Sequence, residues 1–347
     1  MKLNRLNPSG GQSSTVRRLV LLTAAMFAAG SIQAHEGHGS SLDPDFPVIG
    51  LLAQAGPVAA TTTATAASNR ISVMIEGDKR VIRANGIPDH TPGQFPNRGN
   101  PNRISAQNYS LAVPLKPVVA GAPTRTGPAW FGVAVNGVPF EAGTAEFWNQ
   151  DWKYEAIGGS MNLGLDQHLA HVQPTGAYHY HGLPKGLLDR LGDDGKKMVL
   201  VGWAGDGYPI YSSYGYSDAS SAASGVKKLK SSYRLKAGKR PEKPDGPGGS
   251  FDGAFTADYE FVKGSGDLDE FNGRTGVTPE FPQGTYYYAL TAEFPFIARQ
   301  WRGVPDQTFL RKGGPTGGKK GGKRGGPPGG PGGGRPGGPA GSGPDQP

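Results

Sequence analysis

The sequence predicts a mainly β fold, a single compact β-rich domain with long loops and a minor helical share. Three observations carry that prediction. Apolar and polar residues alternate at period two in several short runs. Gly and Pro are abundant, 57 and 31 of 347 residues, and they punctuate those runs. Long stretches of helical periodicity are absent.

The elements follow in order. Ile71, Val73 and Ile75 alternate with Ser72, Met74 and Glu76, and Gly77-Asp78 turns the chain into residues 79–82, a hairpin. Residues 88–103 are a Pro/Asn/Gly-rich loop, and residues 109–117 read as a strand with proline at its edges. Residues 130–135 form a strand closed by the Asn136-Gly137 hairpin signal and resumed at 138–140. Residues 184–191 are a short helix, with Pro184 near its first turn and Gly192 past its end. Residues 198–204 are a buried strand, and Gly205-Asp206-Gly207 turns it into 208–211. Residues 233–235, 259–262 and 285–291 complete the strands, the last with aromatic rings on both faces. Residues 217–225 and 239–250 are loops, and no repeat occurs at solenoid spacing.

The two ends differ from this body. Lys2, Arg5, Arg17 and Arg18 precede an apolar stretch over 19–29, well short of the roughly 20 residues that span a bilayer. That order is an export signal with cleavage after Ala34; an uncleaved anchor is the alternative. Arg17-Arg18 also admits a twin-arginine reading, though charge alone accounts for an arginine pair there. The mature protein is therefore expected in the periplasm or outside the cell, with no transmembrane segment. Residues 35–69 read as a flexible linker, and residues 311–347, almost all Gly, Pro, Lys and Arg, as a disordered basic tail.

Charge divides accordingly. The whole chain is +8, the signal carries +4 and the tail +6, so residues 35–310 are left at −2. The high pI is thus no argument for nucleic-acid binding by the folded domain. The tail either contacts anionic polymers or lipid or simply solubilises the chain. With no cysteine, disulfides, thiolate metal sites and a cysteine nucleophile are excluded. No nucleophile elbow or phosphate-cradling loop is present, and the tail glycines follow no strand, so no nucleotide cofactor is expected.

The chemistry concentrates in Tyr178-His179-Tyr180-His181. On a strand, His179 and His181 share one face and Tyr178 and Tyr180 the other. Asp166, His168 and His171 lie just upstream, so four of the seven histidines fall between 168 and 181. Imidazole nitrogen suits Zn, Cu or Fe, and a His-x-His pair needs only one or two further ligands. The alternative is that these rings bond backbone groups in a loop-rich core. The spacing Asp166-x-His168-x-x-His171 reads as a turn or a helix start. Asp206 either caps its own turn or orients a histidine. Asp267, Asp269 and Asn272 suggest a Ca²⁺ loop or an Asp/Asn-rich turn. After cleavage, the His35 amine and imidazole, with His38 nearby, form a possible Cu(II) chelate on an otherwise flexible end.

The stretch from Ala170 to Pro184, containing Thr175-Gly176-Ala177-Tyr178-His179-Tyr180-His181-Gly182, resembles the YHYH-domain family of exported proteins. Asp206-Gly207-Tyr208-Pro209-Ile210-Tyr211 is similar to a second block of that family. Leu268-Asp269-Glu270-Phe271-Asn272-Gly273, with Thr278-Pro279-Glu280-Phe281-Pro282 and Gly284-Thr285-Tyr286, is similar to a third. The resemblance spans about 130–309 and implies an exported or surface protein with a compact domain, but no settled activity. Relatives often carry Cys where this chain has Phe271 and Gln300. Some repeat the four-residue motif where this chain reads Tyr286-Tyr287-Tyr288-Ala289, which makes Tyr287 a phenolic substitute for a histidine.

Three functions are therefore expected to compete. One is a metal site at His171, His179 and His181 supported by Asp206, with metal-assisted hydrolysis or oxidation if it is catalytic, since no other activated nucleophile exists. Another is a binding module that presents Tyr178, Tyr180, Tyr208 and Tyr211 as an aromatic face to a glycan or peptide. The third is a structural envelope protein.

Overall fold

The computed structural model describes residues 67–127, 129–149 and 151–310. The expected export signal, nearly all of the expected linker and the tail fall outside the described residues.

The fold is mainly β, as predicted, and is organised around an eight-stranded sheet. From edge to edge its strands are Gly273–Gly276, Thr285–Ala289, Pro209–Tyr211, Leu200–Ala204, Trp130–Ala134, Pro139–Glu141, Tyr178–Tyr180 and Ala170–Val172. Taken in twos, these are four antiparallel hairpins laid side by side. The outer hairpins join the inner ones through parallel pairs, Tyr178–Tyr180 beside Pro139–Glu141 and Thr285–Ala289 beside Pro209–Tyr211. The inner hairpins meet antiparallel, Trp130–Ala134 against Leu200–Ala204.

The local chemistry explains the inner hairpins. Asn136-Gly137 and Asp206-Gly207 turn them, with Gly137 at φ 81° and Gly207 at φ 93°, the left-handed region that glycine enters without strain. Where the two hairpins meet, Gly132 and Gly202 leave no room for a side chain. A Cβ on Gly132 would lie 2.5 Å from the Trp203 carbonyl oxygen, and one on Gly202 would lie 2.9 Å from Phe140 Cε2.

Both faces of the sheet are covered, which is why its central strands Trp130–Ala134, Leu200–Ala204 and Pro209–Tyr211 read as apolar or aromatic. Phe131, Val133, Tyr178, Tyr180, Ile210 and Tyr288 enter the main core. Their strand neighbours Leu200, Tyr211 and Tyr287 enter a second cluster with Met198 and Leu229. A three-stranded meander, Ile71–Glu76, Lys79–Ala84 and Tyr109–Pro114, packs on the main core through Ile82, Leu111 and Val113. The predicted helix spans Lys185–Leu191 and ends at Gly192 in a left-handed cap, whose N–H bonds the Asp189 and Leu188 carbonyls.

Eight strands have no counterpart among the sequence expectations: Val119–Arg125, Phe147–Asn149, Trp152–Lys153, Ala170–Val172, Tyr214–Tyr216, Val226–Lys228, Gly273–Gly276 and Gln300–Gly303. Gly and Pro inside them, or their brevity, hide the alternation. Of the two readings of the Asp166–His171 spacing the turn is the one that forms, with the Leu169 N–H donating to the Asp166 carbonyl at 3.0 Å, and it leads into a strand that carries His171. That strand is a sheet edge, and the loop before the meander's last strand clasps it. The side-chain amides of Asn100 and Asn102 donate to the Val172 carbonyl at 2.9 and 2.7 Å, and Ser105 N–H donates to the Gly176 carbonyl at 3.0 Å.

The close approach of the inner hairpins predicts a penalty for any added side chain. Gly132→Ala and Gly202→Ala are each expected to cost about 2 kcal/mol or more in a denaturant titration. Gly121→Ala, with open space around it, is expected to change stability by less than about 0.5 kcal/mol.

Candidate metal centre

The histidine hairpin sets the geometry. Gly176, at φ 84°, closes the turn between Ala170–Val172 and Tyr178–Tyr180, and the register places His179 directly opposite His171. His181 lies two residues beyond His179 and so on the same side. Its N–H donates to the Leu169 carbonyl at 2.7 Å, which keeps that register one step past the strand end. The three rings converge, with centroids 4.6, 4.7 and 4.8 Å apart. One donor atom from each lies within 4.8 Å of the others. Among the described residues this is the one group of three or more His, Asp or Glu side chains so arranged.

Hydrogen bonds choose the tautomers. His171 Nδ1 lies 2.9 Å from the Leu163 carbonyl, and His179 Nδ1 lies 3.2 Å from the Ala177 carbonyl. A carbonyl only accepts, so both rings carry their proton on Nδ1 and aim the Nε2 lone pair inward. This is the arrangement in which a ligating imidazole is steadied by its outer nitrogen. With the His179 proton on Nδ1, the His181 Nε2–H donates to His179 Nε2 at 3.0 Å, and an ion would take the place of that one proton. Two nitrogens on a tetrahedral zinc are separated by about 3.3 Å, given bonds of about 2.0–2.1 Å, so the pair needs only a small opening to admit an ion. His181 Nδ1 is buried without a partner. The donor set therefore fits a borderline transition metal.

Glu141 joins the group and was not foreseen. Tyr180 pairs with Phe140, which brings the next residue of the inner hairpin beside the histidines. Glu141 Oε2 lies 3.5 Å from His179 Nε2 and accepts a 2.8 Å bond from Gln173 Nε2. The contact has the distance of an ion pair, but burial favours the uncharged form of both partners. Desolvation pushes Glu141 up to about 8 and His179 down to about 3. Desolvation, with neighbouring histidines, also holds His181 well below the usual range, and burial lowers His171. The result is a buried, neutral cluster of three imidazoles and a carboxyl. No sequence signal marks Glu141, since a parallel neighbour cannot be read from local alternation.

The other expected site residues lie elsewhere. The Asp166 carboxylate accepts the N–H groups of Gly93, His168 and Ala170 and the Tyr178 hydroxyl, so it braces the hairpin rather than offering a ligand. His168 is tied off by the Gly186 N–H and the Thr91 carbonyl, both at 2.9 Å, and packs on His90 on the tyrosine side. Asp206 orients no histidine. It is buried, accepts from the Tyr288 hydroxyl and the Gly303 N–H, and desolvation raises it to about 6. The Ca²⁺ loop does not assemble either. Asp267 pairs with Lys227, Asp269 accepts from Tyr286 and its own loop, and Asn272 donates to the Ala289 carbonyl. The aromatic face is corrected as well: Tyr178, Tyr180, Tyr208 and Tyr211 are buried in the cores, so they offer no surface to a glycan. His35 and His38 fall outside the described residues.

A family model for the YHYH protein matches residues 110–303, more than half of the chain. The chain belongs to the YHYH family. No curated protein and no solved structure matches it. The YHYH match contains both strands of the histidine hairpin, Glu141 and the strand Thr285–Ala289, so the convergent imidazoles belong to the family domain itself.

The opposed shifts give a signed pH prediction for the metal-free protein. His179 is depressed, so its contribution is complete above an unfolded value near 6.5 and is lost as pH falls toward about 3. Glu141 is raised, so its contribution is complete below an unfolded value of 4.5 and is lost as pH rises through about 8. Between pH 7 and pH 5 the two offset. Glu141→Gln removes the carboxyl contribution. In denaturant titrations in chelator, it should lose about 2 kcal/mol more than the parent over that interval.

Proposed function

We propose that this YHYH protein binds one divalent transition-metal ion through His171, His179 and His181, with Glu141 as the adjoining carboxylate. The single observation that carries the reading is the convergence of three imidazoles whose outer nitrogens, on His171 and His179, are already bonded to carbonyls. Neutral nitrogen donors favour Zn, Cu or Fe(II) over Ca²⁺ or Mg²⁺. When bound, the ion would supply Lewis-acid or redox chemistry, which fits metal-assisted hydrolysis or oxidation. The chain's own residues have defined parts. The hairpin register orients His171 and His179, Gln173 holds the Glu141 carboxyl, and burial keeps His179 and His181 from solvent while His171 stays partly open. His171 is thus the ligand position nearest to solvent.

The reading also takes the protein to be exported. Its support is the basic and apolar order of residues 2–29 and the small residues before His35.

Purified protein, stripped and reconstituted, should hold about one Zn, Cu or Fe per chain. His179→Ala and His181→Ala should each lower that content at least tenfold. Zinc at 1,000 times its Kd should raise unfolding free energy by about 4 kcal/mol in the parent and leave the variants unchanged. Substoichiometric metal that ignores both substitutions would sink the proposal.

A further inference from the structure

The second half of the central sheet repeats the first in register. Both inner hairpins shift register at the same step, Trp130↔Glu141 then Gly132↔Phe140 in one, Leu200↔Tyr211 then Gly202↔Ile210 in the other. Ala134 N–H bonds the Val138 carbonyl as Ala204 N–H bonds the Tyr208 carbonyl, both at 2.9 Å. The hairpins meet about a dyad. Val133 pairs with Trp203, its own counterpart, while Gly132 pairs with Ala204 and Ala134 with Gly202.

The outer hairpins correspond as closely. Tyr180 lies beside Phe140 as Tyr288 lies beside Ile210. Asp166 accepts the Tyr178 hydroxyl and the N–H groups of His168 and Ala170; Asp269 accepts the Tyr286 hydroxyl and those of Phe271 and Gly273. Leu169 and Asn272 occupy the same step with φ 51° and 56°. His181 N–H bonds the Leu169 carbonyl at 2.7 Å, and Ala289 N–H bonds the Asn272 carbonyl at 3.0 Å. The Tyr180 hydroxyl meets Asn136, and the Tyr288 hydroxyl meets Asp206, each at the hairpin turn of its own half.

Register then names the counterparts of the metal centre. His171↔His179 becomes Arg274↔Tyr287, and His181 beside Glu141 becomes Ala289 beside Tyr211. Arg274 Nε donates to the Tyr287 hydroxyl at 2.6 Å, and Nη2 donates to the Tyr216 carbonyl at 2.5 Å. A cationic side chain therefore projects from the position of one ligand toward the position of another, where the first half has only neutral imidazoles.

We infer that the eight-stranded sheet is a doubled unit in which the second copy of the centre has exchanged a divalent transition-metal ion for the guanidinium of Arg274. This rests on the metal reading of the first copy. A guanidinium is permanently charged and donates hydrogen bonds only, so it suits acceptor oxygens. The phenol of Tyr287 supplies one in place of imidazole nitrogen, and Ala289 carries a methyl group where the first half carries a third imidazole.

The test converts each half into the other within the full chain, with zinc per chain as the readout. Parent protein that binds no zinc would overturn the underlying reading before any variant is made. With one zinc in the parent, Arg274→His, Tyr287→His and Ala289→His together should raise the content to two. The added equivalent should persist after His179→Ala and His181→Ala. A folded variant, judged by an unchanged far-UV spectrum, that gains no zinc overturns the inference and leaves the first centre standing. Should the histidine set fail to fold, the reciprocal set, His171→Arg with His179→Tyr and His181→Ala, decides the matter. Folding with a melting temperature indifferent to chelator supports the exchange; failure to fold, or retained zinc, overturns it.

Discussion

The pairing of His179 with His171 across the turn closed by Gly176 is the constraint on which the candidate site depends. Side chains alternate along a strand, so a slip of one residue would send the tyrosines to the polar side and the imidazoles into the main core. Several contacts forbid the slip. Tyr178 anchors to Asp166, Tyr180 to Asn136, and the His181 N–H to the Leu169 carbonyl. Each of these fixes a tyrosine or a backbone group, and the histidines are placed as a result. The Tyr-His-Tyr-His alternation is therefore one device with two faces: the phenols fix the strand in the core, and the rings between them become available for coordination.

Burial then determines what that available side can do. A cluster of three imidazoles and a carboxyl would ordinarily attract protons. Here desolvation keeps the imidazoles uncharged and favours a protonated Glu141. Such a cluster is poor in charge and rich in lone pairs, and a cation that neither repels neighbours nor needs bulk water suits it. The adjoining half resolves the same problem with a covalent cation, since the Arg274 guanidinium reaches Tyr287 from the matching strand position.

Much of this was readable in the sequence. The period-two face of His179 and His181, the Asn136-Gly137 and Asp206-Gly207 turns and the helix ending at Gly192 all follow from local rules, and the structure contains them. What escaped is non-local. Ala170–Val172 is three residues long, and nothing nearby shows that it pairs with the histidine strand. Glu141 reaches the centre through a parallel neighbour, which no hairpin signal reports. Asp269 and Asn272 imitate a cation loop because the same Asp-x-x-(positive φ) turn is what Asp166 and Leu169 use to start the other outer hairpin. The repeat itself was invisible to a search for solenoid periods, because its two halves are separated by unequal insertions and share only scattered identities such as Gly132 with Gly202 and Pro139 with Pro209.

The clasp on the outermost strand has a further implication. Ala170–Val172 would otherwise end the sheet with open peptide groups, the surface on which foreign strands nucleate. Asn100 and Asn102 occupy the Val172 carbonyl, and Ser105 engages the tip. All three precede residue 110, where the family match begins. A fragment trimmed to the shared family segment would keep the three converging imidazoles and yet lose the cover on its edge. Self-association of such a fragment would then stem from the bared edge and from the core surface that Ile71–Glu76 and Lys79–Ala84 had covered, and would carry no information about the ring cluster.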